Sequence, residues 1–353
     1  MLPYNVVISE FLLFVINKMV VGLSKTLPSR GWLDIHGHYS LPQTAEEAER
    51  TRLGFEDQAF YLKKPFIWNF DEVLAYLNHS NIGLQMLSFV PQNHAFLRKS
   101  NDFGASIIER FPTRFGLLAG LPTDDAEACL AEIKRTTTQY GIPADGFAMR
   151  TTYNGVWLGD RILDPVWNEL NSRKAVIFVH PDALAQSIHR QCVALIEVTF
   201  DTARCVMDML YAGVFRRFPD IRFVLAHAGG ALPALAGRIA LLGVEDWAPN
   251  PNGLTREEIW KQLSRLYVDT AASAATGLVP AMKLMGPDRC VYGSDCGVPC
   301  SSEAGMDLNL QSVLEVEERE TGEPGKIGLN GWNLFPAASE RAQKLENRNG
   351  TTH

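Results

Sequence analysis

The sequence contains no dense run of lysine or arginine. Its 353 residues carry a formal net charge of -7, and 46% of them are hydrophobic. Nucleic acids and anionic membrane surfaces attract proteins through concentrated positive charge, so we expect neither of them as a partner. The chain is long enough to bury a large core, and a small molecule is the expected ligand.

Cysteine is also scarce. The six cysteines are spread between positions 129 and 300, at Cys129, Cys192, Cys205, Cys290, Cys296 and Cys300. A disulfide framework in a small secreted domain requires a much denser set. We therefore expect free thiols in a reducing compartment, and a cytoplasmic protein.

Long apolar runs are missing outside the predicted core, except at 6–23, VVISEFLLFVINKMVVGL. Glu10 and Lys18 interrupt this stretch, which is too short and too charged for a membrane span and lacks a signal peptide's features. Residues 1–30 are predicted to be an N-terminal apolar extension. It can be a helix that covers one end of the main domain, a subunit contact, or a stretch upstream of a start at Met19.

The remainder alternates short β-rich runs with amphipathic segments and has no internal repeat. Eight strands are predicted, at 32–36, 83–90, 115–121, 146–151, 175–180, 222–227, 266–270 and 290–294. Helices are predicted at 71–79, 124–140, 201–218 and 232–242, several with an aspartate as the N-cap. Eight such units favour an α/β fold, a single-domain (β/α)8 barrel at 31–340, followed by a polar C-terminal tail at 341–353.

The segment 40–69 is long for a loop after a first barrel strand. It carries five aromatic side chains, Phe55, Phe60, Tyr61, Phe66 and Trp68. We interpret it as an aromatic-rich insertion that either closes over the barrel mouth and contacts substrate, through Trp68 for example, or packs as an ordinary surface insertion.

Four separated fragments place a histidine or an aspartate at the end of an apolar run. They are DIHGH (34–38), FVHP (178–181), LAHAGG (225–230) and YGSD (292–295). The carboxyl ends of barrel strands meet at one face, where such side chains can converge on a metal ion. The sequence therefore predicts a metalloenzyme.

The individual residues allow more than one interpretation. His36 and His38 lie on the same side of an extended chain and can share a metal, although such a pair alone is also found in turns. His180 can be a ligand or a core histidine, and His227 a ligand or a proton-transfer group. Asp295 would be costly to bury without a metal or cation, and its alternative is a capping or salt-bridge role.

The other histidines and the cysteines beside Asp295 have a different context. His79, His94 and His189 do not end apolar strands, and we interpret them as surface residues. Cys296 and Cys300 lack a second pair with zinc-finger spacing, so we interpret them as packed thiols.

The ordered motifs resemble the amidohydrolase superfamily. The runs RFPDIRFVLAHAGGALPALAGRI (217–239), RCVYGSD (289–295) and NGWNLFP (330–336) resemble its aminocarboxymuconate-semialdehyde decarboxylase branch, which includes the nonoxidative hydroxybenzoate decarboxylases. The resemblance covers 32–336. It implies a metal-dependent carbon–carbon lyase, a carboxy-lyase.

The resemblance also implies roles for particular residues. His36, His38, His180 and Asp295 match the metal ligands, and His227 matches the histidine that works beside the metal. Arg238 matches an arginine that can help hold the substrate carboxylate, in some members across a dimer interface, and this favours a homodimer. The alternative is that Arg238 is a charge on a helix surface.

Three local features refine the resemblance. Strand four, GFAMRTTY, lacks the lysine that forms the bridging carbamate of binuclear members, so one divalent metal is expected, zinc first and manganese second. Some hydroxybenzoate decarboxylases of the branch carry a Glu-rich motif where this chain keeps HxH. Cys296 replaces the usual aromatic residue after the GSD aspartate.

The expected reaction is decarboxylation of a small ortho-hydroxy aromatic acid, with 6-methylsalicylate as the first candidate. Ring protonation before CO2 loss avoids an unstabilised aryl carbanion. Either Asp295 or His227 must deliver the proton; Asp295 is favoured as the donor, with His227 orienting substrate or water. The alternative is a metal-dependent hydrolase of an ester, lactone or amide, and a third class is a catalytically silent metal-binding protein.

Overall fold

The computed structural model describes residues 30–182 and 191–349, without the side chains of 345–349. The predicted apolar extension lies outside the described residues except for Arg30, and His189 lies outside them as well. None of the described helices is long and apolar enough to cross a membrane.

Nine strands are assigned in the described part of the chain. They are β1 Trp32–His38, β2 Ile82–Ser88, β3 Phe115–Gly120, β4 Gly146–Arg150, β5 Thr152–Tyr153, β6 Val156–Trp157, β7 Val176–His180, β8 Arg222–Leu225 and β9 Tyr267–Val268. Seven of them form one parallel sheet in the order β1-β2-β3-β4-β7-β8-β9. The other two, β5 and β6, pair as a small antiparallel hairpin that the sequence pattern does not predict.

Helices connect successive strands of the sheet, as parallel pairing requires. Their bounds are Ala45–Glu56, Phe70–His79, His94–Arg110, Ala126–Thr138, Asp164–Ser172, Glu197–Tyr211, Val214–Arg217, Leu232–Leu242, Arg256–Leu263, Ala274–Met285, Glu303–Thr321, Lys326–Leu334 and Pro336–Asn349. The last of these includes most of the segment predicted as a polar tail. The insertion after β1 contains the helix Ala45–Glu56, which starts with a capping box at Thr44.

The predicted eighth strand is not assigned as a ladder, but its backbone lies between the two ends of the sheet. On one side Val291 N donates to Val268 O at 2.9 Å. On the other side Ile35 N donates to Tyr292 O at 2.9 Å, and residue 295 donates to His36 O at 2.9 Å. Segment 290–296 therefore links β9 to β1, which agrees with a TIM-like barrel.

Apolar side chains alternate along the strands between two buried layers. The inner core, which the strands enclose, consists of Leu33, Ile35, Leu84, Met86, Leu118, Ala148, Val176, Phe178, Val224, Ala226, Val291, Trp332, Leu334, Phe335 and Ala338. The last four come from the C-terminal region and pack at the amino ends of the strands, where a Cβ on Gly146 would lie 3.4 Å from the Phe335 ring. This end of the barrel is filled, so the site lies at the other end.

The helix predictions were better for ranges than for caps. The helix Leu232–Leu242 matches its predicted range, whereas two other helices are capped by Asn69 and Asp125 instead of the expected Asp71 and Asp124. The prediction for 201–218 was wrong at its start, since the helix begins at Glu197. Asp201 is not an N-cap: its buried carboxylate accepts hydrogen bonds from the Thr151 hydroxyl and the backbone of residue 182.

Candidate metal centre

A register shift in β1 positions both histidines of the HxH pair. The pairing of β1 with β2 shifts between Asp34 and Gly37. The Asp34 carboxylate accepts hydrogen bonds at 3.0 Å from the backbone N–H groups of His36 and Ser294, which ties this irregularity to the eighth segment. Residue 37 has to be glycine, because a Cβ there would lie 2.3 Å from the Gln85 side chain.

The Nδ1 atom of each predicted histidine ligand has an oxygen partner. His36 Nδ1 lies 2.5 Å from Asp269 Oδ2, and His38 Nδ1 lies 3.2 Å from the carbonyl oxygen of Ser88. His180 Nδ1 lies 2.9 Å from the carbonyl oxygen of residue 181. When Nδ1 carries the proton and donates it to oxygen, Nε2 keeps its lone pair, which is the arrangement that orients metal-binding imidazoles.

The Nε2 atoms of the HxH pair converge on one carboxylate oxygen. Asp295 Oδ1 lies 3.2 Å from Nε2 of both His36 and His38, and these two nitrogens are 2.9 Å apart. Asp295 has a φ of 61°, in the left-handed region where a non-glycine residue is strained. Strain of this kind is concentrated at functional sites, and here it accompanies a side chain directed into the cluster.

The charges in this cluster are strongly coupled. Burial lowers the pKa of His36, but the carboxylates of Asp269 and Asp295 outweigh burial and raise that pKa to about 10. Burial together with the neighbouring imidazoles of His38 and His36 holds the pKa of His180 well below its usual value. Burial raises the pKa of Asp295, yet the adjacent histidines outweigh it and bring that pKa well below its ordinary range. In the metal-free site an anionic Asp295 carboxylate therefore faces a protonated His36 and a neutral His180.

This donor set suits a divalent metal ion. The ligand atoms of His36, His180, His227 and Asp295 all lie within 4.8 Å of one another, and His38 Nε2 contacts two of these residues. Imidazole and carboxylate ligands match zinc or manganese. A cation between the nitrogens would offset the repulsion of the two Nε2 atoms once His36 has lost its proton. The residues therefore fit a bound metal, with His227 as an additional nearby donor.

His227 differs from the other histidines in its surroundings. Its Nε2 lies 3.9 Å from Asp295 Oδ2, while its buried Nδ1 has no hydrogen-bond partner among the described residues. The backbone is left-handed at His227 (φ 57°), and a Cβ on Gly230 would lie 2.3 Å from the Thr199 carbonyl oxygen. The AGG sequence therefore permits a tight turn that directs His227 toward Oδ2 of Asp295.

The two predicted substrate contacts lie in different places. Trp68 is near the cluster, and its indole Nε1 donates to the carbonyl oxygen of His38 at 2.9 Å. Arg238 is exposed on the helix Leu232–Leu242 and has no hydrogen bond or ion pair within the described residues. The structure thus brings together Trp68 and the five predicted metal and catalytic residues, and leaves Arg238 at the surface.

The remaining histidines and cysteines lie mostly as the sequence suggests. His79 is exposed beside Glu303 and Asp307, and His94 pairs with Asp124 at 2.7 Å. Cys296 is buried, but the prediction that Cys300 is a packed thiol was wrong. Cys300 is exposed, and its Sγ lies 4.0 Å from Asp295 Oδ2.

Sequence reasoning missed two charged residues at the carboxyl ends of strands. Asp269 follows β9 and is fully buried, with Oδ1 accepting from Ala271 N at 3.0 Å while Oδ2 faces His36. Arg150 ends β4 opposite His180 and is 7% exposed, in an ion pair with Asp182. Both follow an apolar strand, which is the signal that identified the other site residues.

Comparison with known proteins identifies the family of this chain. The sequence profile of the Amidohydrolase family matches residues 33–317. A 6-methylsalicylic acid decarboxylase of Aspergillus aculeatus is 30% identical over 332 residues, which cover 86% of this chain and 96% of that protein. The predicted resemblance to the decarboxylase branch is confirmed, and the decarboxylase named here agrees with the predicted carboxy-lyase.

Solved structures show the same fold. The Metarhizium anisopliae IDCase in its apo form superposes with a TM-score of 0.72 at 22% identity, covering 89% of this chain and 99% of that one. A dihydroxybenzoic acid decarboxylase from Polaromonas, solved with bound manganese and 2-nitroresorcinol, gives a TM-score of 0.66 at 18% identity, covering 87% and 97%. With the family match over most of its length, the chain belongs to the amidohydrolase family.

Proposed function

We propose that this protein is a metal-dependent nonoxidative decarboxylase of a small ortho-hydroxy aromatic acid, with 6-methylsalicylate as the first substrate to test. The observation that carries the proposal is the convergence of three Nδ1-anchored imidazoles and the Asp295 carboxylate at one end of the strands. The 30% identical decarboxylase supports the substrate class.

In this proposal His36, His38, His180 and Asp295 bind a single divalent ion, zinc or manganese. The manganese in the Polaromonas structure supports the second choice. When bound, the metal supplies Lewis acidity toward the carboxylate and the adjacent phenolic oxygen of the acid. A second metal is not expected, because β4 carries no lysine.

The two oxygens of Asp295 have different surroundings, and this divides their roles. Oδ1 faces the Nε2 atoms of His36 and His38, while Oδ2 accepts from the Ser301 hydroxyl at 3.1 Å and faces His227. We assign proton delivery to the Oδ2 side. Asp295 is the proposed donor, and because its pKa is held low, it must take its proton from His227 Nε2 during the cycle.

The proton balance of the reaction is simple. One proton adds to the ring carbon that bears the carboxylate, the bond between that carbon and the carboxylate breaks, and its electron pair restores the aromatic ring. The products are CO2 and the phenol. The protein's task is to hold the acid in place, exclude water and supply the proton at a defined position.

The proposed active protein is a single (β/α)8 domain at 31–340, in which the aromatic-rich insertion covers the mouth. The contact between the Trp68 indole and the His38 carbonyl supports a role for Trp68 near the substrate. We also propose a homodimer in which Arg238 reaches the partner's site. The exposure of Leu241 (61%) and Trp247 (71%) near this arginine supports an interface there.

The test is a CO2-release assay with positional isomers. We expect release from 2-hydroxybenzoates, above all 6-methylsalicylate, and none from 3- or 4-hydroxybenzoate, which cannot offer adjacent oxygens to one metal. A parallel panel of esters, lactones and amides tests the alternative hydrolase, which the named relative does not favour. Acid production from that panel without CO2 from any benzoate would overturn the proposal.

A further inference from the structure

Arg150 lies on the inward face of its strand, at the level of the metal centre. Ala148, two residues earlier in β4, belongs to the inner core, and side chains two residues apart share a face. The parallel register places Arg150 directly beside His180. The guanidinium therefore sits at the same end of the strands as the imidazole cluster.

The guanidinium has donor capacity that the described residues do not use. Nη2 pairs with Asp182, and Nη1 has only a 3.5 Å contact with the Val90 carbonyl oxygen. Nε is buried without a hydrogen-bond partner among the described residues. Burial lowers the pKa of Arg150 to about 10, which leaves it cationic at neutral pH. A buried donor on a charged group is costly unless a ligand satisfies it.

The ion pair with Asp182 is not needed to fix the local backbone. The backbone N–H of Asp182 donates to Thr151 Oγ1 at 3.1 Å and to Asp201 Oδ2 at 2.9 Å, which holds this turn independently. The Asp182 carboxylate instead restrains the guanidinium on one side, leaving Nε for another acceptor. A planar guanidinium suits a carboxylate, which can accept two parallel hydrogen bonds.

We propose that Arg150 binds the carboxylate of the substrate and so selects acids over neutral phenols. This inference rests on the proposed function for the identity of the acid. It assigns carboxylate recognition to a residue of the same chain as the metal centre, whereas Arg238 is exposed and would act from a partner. Arg150 is thus a specificity-determining residue at the mouth of the barrel.

The experiment measures equilibrium binding and steady-state kinetics of the metal-loaded protein and its Arg150→Met and Arg150→Lys variants. The probes are 6-methylsalicylate, salicylate and 3-methylphenol, which lacks the carboxylate. A charge-assisted bidentate contact predicts that Arg150→Met weakens binding of the acids about 10- to 100-fold and raises KM similarly, with little change for the phenol. Arg150→Lys should recover part of the acid affinity, because lysine keeps the positive charge but cannot donate two parallel hydrogen bonds from a planar group.

Two further variants separate recognition from folding. Arg150→Met/Asp182→Asn also neutralises the carboxylate that pairs with Arg150 in the wild type, and it should bind the acids as weakly as Arg150→Met. Arg135, a buried arginine paired with Glu132 and Asp102 on an outer helix, provides the matched control. Arg135→Met should lose thermal stability but keep its preference for acids over the phenol.

The outcomes distinguish this inference from the proposed function. If acid binding depends on Arg150 but no CO2 is released, the inference about Arg150 stands and the proposed decarboxylase activity is refuted. Equal affinity of wild type and Arg150→Met for the acids would overturn the inference even if CO2 is released. Failure of the wild type to bind any of the acids would overturn it too, as would equal losses for acid and phenol.

Discussion

Replacing Asp269 by asparagine tests whether the buried carboxylate orients His36 for metal binding. The carboxylate oxygen lies 2.5 Å from His36 Nδ1, and both side chains are fully buried. Asparagine has nearly the same shape, and its amide oxygen can still accept from the Ala271 N–H. Its amide nitrogen, however, would donate to Nδ1 and favour the tautomer in which Nε2 carries the proton. That tautomer has no lone pair at Nε2, the nitrogen that faces the metal centre.

The expected loss follows from measured effects of comparable changes. Removing an outer-shell carboxylate from a metal-binding histidine lowers metal affinity about 10- to 100-fold. This corresponds to roughly 1.4–2.8 kcal/mol of binding free energy. Competition against a chromophoric chelator, with zinc and then manganese, measures the dissociation constants of wild type and Asp269→Asn.

Asp124 offers a matched control because it also pairs with an imidazole, that of His94, at 2.7 Å. This pair lies outside the metal centre and is partly exposed, so Asp124→Asn should leave metal affinity unchanged. A dissociation constant for Asp269→Asn within about twofold of both wild type and the control would refute the argument that Asp269 sets the His36 tautomer.

Three further predictions concern the same centre. His180→Ala should lose metal and activity together, whereas His227→Ala should keep the metal and lose turnover; equal metal loss in elemental analysis would make His227 a ligand. Because the pKa of His36 is raised to about 10 in the metal-free site, it is protonated at pH 7, and its Nε2 must lose that proton before it can bind. Metal uptake should therefore release about one proton, and affinity should rise roughly tenfold per pH unit, which calorimetry in buffers of different ionisation enthalpy would detect. Gly293→Ala should destabilise the fold by about 1–3 kcal/mol, because the new Cβ would lie 2.9 Å from the His36 Cβ, while Gly237→Ala, in open space on a helix, should stabilise it by up to about 1 kcal/mol; equal denaturation midpoints would contradict this.

The sequence was a good guide to the strands and to the residues at their ends. Apolar runs that end in histidine or aspartate predicted the convergence of His36, His38, His180, His227 and Asp295, because strand direction and side-chain alternation are local properties. The two-residue spacing of the HxH pair was sufficient to place both imidazoles on the same side.

The missed features depend on contacts between distant segments. Asp269 acquires its role from His36, 233 residues away, and no spacing rule relates the two. The position of Arg150 beside His180 depends on the register of β4 against β7. Asp201 resembled a helix cap, but its carboxylate bonds to the Thr151 hydroxyl. The eighth segment is predicted as a strand, but its backbone hydrogen bonds to β9 and β1 form isolated bridges and not a continuous ladder.

The central claim is that one metal ion in this cluster supports decarboxylation, and titration of metal-depleted protein tests it most directly. Zinc or manganese is added stepwise while CO2 release from 6-methylsalicylate is recorded. The titrated protein carries a His79 substitution, which excludes metal binding at the exposed group of His79, Glu303 and Asp307. We predict no activity without metal and a linear rise to a plateau at about one metal per chain. Undiminished CO2 release from the metal-depleted protein, or none at full occupancy, would contradict the account.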